Sequence, residues 1–476
     1  MGKPAGRTDS SYGLKKAVLS GNETLAQSIA VIAPTAGPLL TIPLVYATAG
    51  TGTWLTFVFS TLMIFLVALN VNQFARISAS PGSLYSYISS HMHPIVGMLA
   101  AWALLIAYIG TATAIAAGLT NYTNVVLKSL FGIQLFPLLL GAIAVAFAVW
   151  LAYRDVTMSA RLMLGLEVVS VVLISAVAVG VLSRYGFRPD VEQLTLKGVT
   201  ADKLRIGLVL AVFCSVGFES ATSLGSEAKE PLRNIPRAVK WSGILAGLFF
   251  IFCAYTEVLG FRGEAEALDK SPAPMNVLAH NAEMPPIIGL LINLGALVSF
   301  FSCFLACITA SARVLYLMGQ KGALHALLGR AHTSNQTPHR AVFVSGLAAF
   351  LPLGILIWTG TSAFDVYGLL GTLATFGFLT AYVLVSIAAP IFLRKQGRLT
   401  VRDIAISGLA LLAMGLALVG NVYPAPPPPY SYLPFIYLVL LLGGLSWSIV
   451  LNSRATPFSE GLVSEDLAHD LDAIAE

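Results

Sequence analysis

Long apolar runs divided by short polar loops organise this chain. No Asp, Glu, Lys or Arg occurs from Thr24 to Ala75, from Ile77 to Leu127, or from Ile404 to Ser453. Each interval could hold one or two membrane crossings at about 20 residues apiece. The runs do not alternate polar and apolar positions, as the strands of a membrane barrel must, so the pattern predicts helices. Apolar stretches between charges give twelve spans. They fall near 23–48, 54–75, 95–127, 135–153, 161–183, 204–226, 238–261, 285–318, 340–358, 365–393, 403–421 and 432–452. Spans 11 and 12 are separated by Tyr423–Tyr430, a stiff proline-rich loop that cannot be helical.

Composition agrees with an integral membrane protein: 57% of residues are hydrophobic and 11% charged, against about 25% charged in soluble proteins. Met1–Gly21 is polar and has no apolar core of a cleavable leader, so span 1 is expected to direct the chain to the membrane. With the N-terminus inside, 20 of the 28 basic residues fall on the cytoplasmic side and eight outside. The positive-inside rule therefore predicts two cytoplasmic termini and a multi-pass protein of the cytoplasmic membrane. The tail beyond residue 454 is acidic and reads either as a short amphipathic helix or as disordered chain. The four cysteines all lie in apolar segments and read as small buried hydrophobes. A net charge of +5 is spread over short loops and gives no basic patch for nucleic acid. The seven histidines lie outside the spans, and no acid or His–Glu cluster shares one depth. No enzyme, metal site or cofactor is expected.

Two spans carry interruptions. Span 1 contains Pro34-Thr35-Ala36-Gly37-Pro38 and then Pro43, and two prolines bracketing a glycine predict local unwinding. Span 6 runs without charge from Ile206 to Phe218 and contains Cys214-Ser215-Val216-Gly217 followed by Glu219. An acid at the centre of an inserted helix costs roughly 2.5–3.5 kcal/mol, and a glycine about 1 kcal/mol relative to alanine. Spans 1 and 6 are the first members of two successive five-helix sets. Interruptions at corresponding positions of two halves predict an inverted repeat with solute held between them. Half-helix N-termini offer N–H groups to a carboxylate, and C-termini offer carbonyls to an ammonium or metal cation. A zwitterion fits both.

These residues also carry a resemblance. Gly217-Phe218-Glu219-Ser220, followed by Ser226-Glu227-Ala228-Lys229-Glu230-Pro231 and Asn234-Ile235-Pro236-Arg237-Ala238, resembles the span 6 to span 7 signature of the amino acid–polyamine–organocation permeases. Ser80-Pro81-Gly82-Ser83-Leu84-Tyr85 resembles the family's approach to span 3, Ser311–Gly322 its end of span 8, and Thr337-Pro338-His339 its start of span 9. The resemblance implies an all-α fold: a leucine-transporter-like 5+5 inverted-repeat core over residues 23–394, two extra helices over 395–454, and short cytoplasmic segments at 1–22 and 455–476. It also implies secondary transport of amino acids or related amines by alternating access. Polyamine transport, or substrate sensing without transport, is the alternative.

Carried over by position, Pro34, Thr35, Ala36, Gly37 and Pro38 stand where the family usually has a Gly-Ser-Gly-type loop around the substrate carboxylate. Pro38 lacks an N–H, and the other non-proline residues there keep theirs. Phe213 falls at an aromatic gate, with Cys214, Ser215, Gly217 and Tyr108 expected beside the substrate. Glu219 reads as a proton carrier or as a fixed partner for the broken helices. Ser302 is the deepest hydroxyl available for sodium on span 8, so proton symport, sodium symport and exchange stay open. Span 5 has no lysine at its middle, and Glu167 there is expected to pair with Arg161 or to face the cytoplasm. No acid other than Glu219 stands at mid-depth in spans 1, 3, 8 or 10, which favours a neutral amino acid.

Overall fold

The computed structural model describes residues 19–78, 83–154, 157–225, 227–332 and 337–453, without the side chains of 83, 157–163, 452 and 453. Most of the N-terminal segment, the acidic tail, Ser226 and part of the Ser80–Tyr85 motif lie outside these residues. Sixteen α-helices are named here in chain order. Span 1 is α1 (Gly21–Ile32), a π turn (Gly37–Thr41) and α2 (Ile42–Ala49); span 2 is α3 (Thr53–Ala75). A short α4 (Ser83–Ser89) precedes α5 (Pro94–Phe131), α6 (Pro137–Arg154) and α7 (Thr157–Arg184), which are spans 3 to 5. After α8 (Val191–Leu194), span 6 is α9 (Ala201–Ser215) with a 3-10 segment (Ser220–Leu224), and span 7 is α10 (Pro231–Gly260). Outside the spans lies α11 (Pro274–Asn281); α12 (Pro286–Gln320), α13 (His339–Trp358) and α14 (Ala363–Lys395) are spans 8 to 10. Spans 11 and 12 are α15 (Val401–Gly420) and α16 (Leu433–Ser453).

Among the described residues eleven stretches are long and apolar enough to cross a membrane. The first, Gly21–Ala75, has 55 residues, more than twice the length of one crossing. It turns at Gly50, whose φ of 56° ends α2, so it makes two crossings and the total is twelve.

Local chemistry sets the helix ends. Ser20 and Glu23 form a reciprocal capping box at the start of α1, and Thr400 and Asp403 do the same for α15. Proline occupies the first turn of α5, α10 and α12, where its missing N–H would have had no helical partner.

The core centres on α5, which packs along α14 and α12. Small residues permit the close approach. A Cβ on Gly377 would come within 2.4 Å of the Ala103 carbonyl, and one on Gly110 within 3.1 Å of Ala374. Such seams are the membrane equivalent of core packing, since lipid gives helices no hydrophobic reason to associate. Large exposed apolar side chains concentrate on α6, α15 and α16, including Phe147, Leu412, Leu416, Val439 and Trp447. That is the surface a bilayer would cover.

Candidate functional site at the two broken spans

The chain leaves helix geometry in span 1 at Ala33, which has a φ of 48°. The amide of Ala36 turns back to the Ala33 carbonyl at 2.8 Å. Pro34 and Pro38 lack N–H donors, so Thr35, Ala36 and Gly37 hold those of the break. Thr35 gives both its N–H (2.9 Å) and its hydroxyl (2.8 Å) to one carboxyl oxygen of Glu167 on α7. This corrects the expectation for Glu167. Instead of facing the cytoplasm, it is buried and takes the donor that the span 1 break releases; the side chain of Arg161, its other expected partner, lies outside the described residues. The reason is the cost of an unsatisfied N–H at membrane depth, which a carboxylate from a neighbouring helix removes. Two of the three donors expected for a substrate carboxylate, those of Thr35 and Ala36, are therefore engaged within the protein.

Span 6 breaks after Ser215. Val216 is extended, and Gly217 has a φ of 87°, a conformation cheap only for glycine. Glycine is required for a second reason. A Cβ at Gly217 would lie 2.2 Å from Cγ1 of Val31 in α1, so the two broken spans touch at this point. Across the contact, the Ser28 hydroxyl donates to the Phe218 carbonyl at 2.7 Å and accepts from the Ala221 N–H at 3.2 Å. Ser28 thereby substitutes for the helical bond that the break removes. Ser220 completes the seam by donating to the Gln27 carbonyl at 3.2 Å.

Glu219 is fully buried and turns away from span 1. Its two oxygens accept from the hydroxyls of Tyr108 (2.8 Å) on α5 and Tyr382 (2.7 Å) on α14. The Tyr382 hydroxyl in turn accepts the Gly217 N–H at 3.4 Å. Phe378 packs edge-on against Tyr108 and also contacts Tyr382, and Phe218 lies against Tyr382. The arrangement fixes the carboxylate and the break as one unit. Tyr108, expected beside the substrate, spends its hydroxyl on Glu219.

The remaining expected residues lie on both sides of the span 1 break. Phe213 packs edge-on against Tyr367 at 5.7 Å and leaves no room for a side chain at Gly371. Tyr367 shares a 2.7 Å hydrogen bond with Thr41 of the π turn. Cys214 closes against Gly37, where a Cβ would come within 2.9 Å of its sulfur. Ser215 is buried. On α12, Ser302 is buried beside Cys303, whose thiol donates to the Val31 carbonyl at 3.2 Å.

The elbow after span 6 is tied at the start of α1. Leu19 pairs with the chain at Glu227 and Lys229, and Glu227 forms a buried ion pair with Arg313 of α12 at 2.5 Å. Sequence reasoning missed Glu257 on α10. It is the only charged residue between Trp241 and Phe261, a signal as plain as the one that marked Glu219. The choice of a neutral substrate rested on spans 1, 3, 8 and 10; spans 5 and 7 add two buried carboxylates. Among the described residues no group of three metal-ligating side chains occurs.

Comparison with known proteins gives consistent results. The family model described as "Amino acid permease" matches residues 24–423. The branched-chain amino acid permease BcaP of Bacillus subtilis is 23% identical over 370 residues, covering 73% of this chain and 75% of its own. The low-affinity putrescine importer PlaP of Escherichia coli is 24% identical over 360 residues, with the same shares. The crystal structure of a manganese transporter from Eremococcus coleocola, in complex with an aromatic bis-isothiourea substituted compound, superposes with a TM-score of 0.55 at 14% identity. It covers 99% of this chain and 97% of that one. This last likeness shows the fold: the leucine-transporter-like 5+5 core with two further helices is the architecture described above.

Proposed function

We propose, on the premise that this chain belongs to the amino acid permease family, that it is a secondary active transporter carrying amino acids across the cytoplasmic membrane by alternating access. One observation carries the mechanism. The first helix of each five-helix set is broken, the two breaks touch at Gly217 and Val31, and each is tethered by the fifth helix of its own set. Broken helices between two repeats expose backbone carbonyls and amides to a solute while the repeats move as bodies. Span 1 offers the Gly37 amide, span 6 contributes Cys214 and Ser215, and Phe213 with Tyr367 covers the outer side.

Both termini are read as cytoplasmic, from the distribution of Lys and Arg. Coupling is to protons or by exchange. Among the described residues, away from the span ends, three carboxylates are buried, Glu167, Glu219 and Glu257, and these are the groups able to carry a proton. A second reading, transport of an organic amine, is favoured by Glu167 holding the Thr35 N–H that a substrate carboxylate would use.

Uptake and counterflow by the purified chain in proteoliposomes test the proposal. Accumulation of labelled amino acid or amine above background is expected, driven by an imposed pH gradient or by internal substrate. Binding without flux would make the protein a sensor and sink the transporter reading. Glu219→Gln separates the two roles of this residue: loss of the response to a pH gradient with binding retained marks a proton carrier. An unchanged response leaves Glu219 as the fixed support of the break.

A further inference from the structure

Glu257 is fully exposed neither to lipid nor to solvent; it is buried completely, and neither carboxyl oxygen has a hydrogen-bond partner. The other buried acids of the described spans are satisfied: Glu23 by the Ser20 amide, Glu167 by Thr35, Glu219 by two tyrosines. A buried polar group is normally paired, and one left open marks a place where something else binds. In a membrane helix an ionisable residue is a functional site by default.

Its place on α10 supports this. Phe250, two turns earlier on the same helix, fills the space beside Gly37 of the span 1 break. Cys253 follows by one turn, and Glu257 stands about 10 Å further along the axis than Phe250, toward the end of the span nearest α11. The helix that carries it, α10, packs against the π turn and α2 of span 1. Tyr122 donates to the Leu39 carbonyl of the π turn at 3.0 Å, and Cys214 closes against Gly37. The open carboxylate thus stands on the helix that packs, through Phe250, against the same break as Cys214. Among the described residues the one fully buried base is Arg313, which is occupied by Glu227. Among the described residues no basic side chain pairs with Glu257, which leaves room for a partner from outside.

We propose that Glu257 recognises a terminal alkylammonium group of the transported solute, which makes the substrate a basic amino acid or an aliphatic diamine and not a neutral amino acid. This rests on the transporter reading of the same break. The two sources share the chemistry that matters here, a primary ammonium on a methylene chain: the ammonium meets the carboxylate, and the methylenes run past Phe250 and Leu39. They differ in whether a carboxylate is also present.

The experiment uses the purified full-length chain with L-lysine, L-ornithine, putrescine, cadaverine and L-leucine as separate probes, in equilibrium binding and in proteoliposome flux. Wild type is expected to bind at least one of the four cationic probes tenfold or more tighter than leucine. Preference for lysine or ornithine identifies the basic amino acid, and preference for putrescine or cadaverine the diamine. Glu257→Gln should weaken that probe by at least tenfold, and Glu257→Asp by less. Leucine binding as tightly as the cations in wild type overturns the proposal, whether or not either variant folds. So does a well-folded Glu257→Gln that binds the cation unchanged. Tight cation binding without flux leaves this recognition intact and refutes only the transporter reading.

Discussion

In span 1 the freed amide of Thr35 meets an acceptor from the fifth helix of its repeat, the Glu167 carboxylate on α7. In span 6 the freed amide of Gly217 meets the hydroxyl of Tyr382 on α14, the fifth helix of the second repeat. The two halves place the tether at the same topological position but give it different chemistry. The first tether is an acid that ends at the backbone. The second is a phenol that passes the connection on to Glu219, and Glu219 passes it to Tyr108 on α5. The difference shows that repetition fixes where a break is held, while the residue that holds it is free to vary. It also makes the break in span 6 part of a larger unit than the break in span 1, joining spans 3, 6 and 10.

The largest predicted effect is at the point where the breaks touch. Gly217→Ala adds a Cβ 2.2 Å from Val31 at a φ of 87°. A left-handed alanine costs about 1–2 kcal/mol, and overpacking a tight contact a further ~1–3 kcal/mol. Val31 is β-branched and has little rotamer freedom in a helix with which to yield. A large fall in melting temperature and loss of uptake are expected. Adding Val31→Ala should return the packing part of the loss but not the backbone part. Full recovery in the double variant would show that the glycine is there for contact alone.

The tether of span 1 comes next. Glu167→Ala leaves the Thr35 N–H without its acceptor, at a cost of about 1–3 kcal/mol for an unsatisfied buried donor. Glu167→Gln keeps a carbonyl oxygen at the same place. Thermal melting should therefore rank wild type and Gln above Ala. If Gln falls as far as Ala, the tether depends on the charge of Glu167 and not on its hydrogen bonds, and the likeness to Tyr382 in the other half fails.

The unequal visibility of these parts has a physical cause. All twelve spans were legible, because bilayer thickness imposes a length and a polarity that short windows of sequence record. The break in span 6 was legible too, since Gly217 and Glu219 are each costly in a membrane helix and stand together. The short helices α4, α8 and α11 were not read, since they lie in loops where no such length is imposed. Glu167 was misread because its partner is 132 residues away in sequence, and proximity along the chain pointed to Arg161 instead. Tyr382 carried no signal: tyrosine is ordinary in a membrane helix, and only the fold brings its hydroxyl to both Gly217 and Glu219. Ser28 is a similar case. Hydroxyls in helices usually bond to the preceding turn, whereas this one bridges span 6.

The smallest effect separates the two tyrosines on Glu219. Tyr382→Phe and Tyr108→Phe each remove one hydroxyl and preserve the ring contacts with Phe378. Loss of a hydrogen bond to a carboxylate costs about 1.5–3 kcal/mol, and each variant leaves the carboxylate with its other donor. Tyr382 also accepts the Gly217 amide, but at 3.4 Å, a distance at which the bond is weak. Tyr382→Phe is therefore expected to destabilise the protein slightly more than Tyr108→Phe. A double-mutant cycle with Glu219→Gln isolates each coupling to the carboxylate from the remainder. A remainder at Tyr382 and none at Tyr108 assigns the difference to Gly217, and so to the break itself. Equal remainders would mean that α14 holds Glu219 without holding the break, and the correspondence between the two fifth helices would reduce to Glu167 alone.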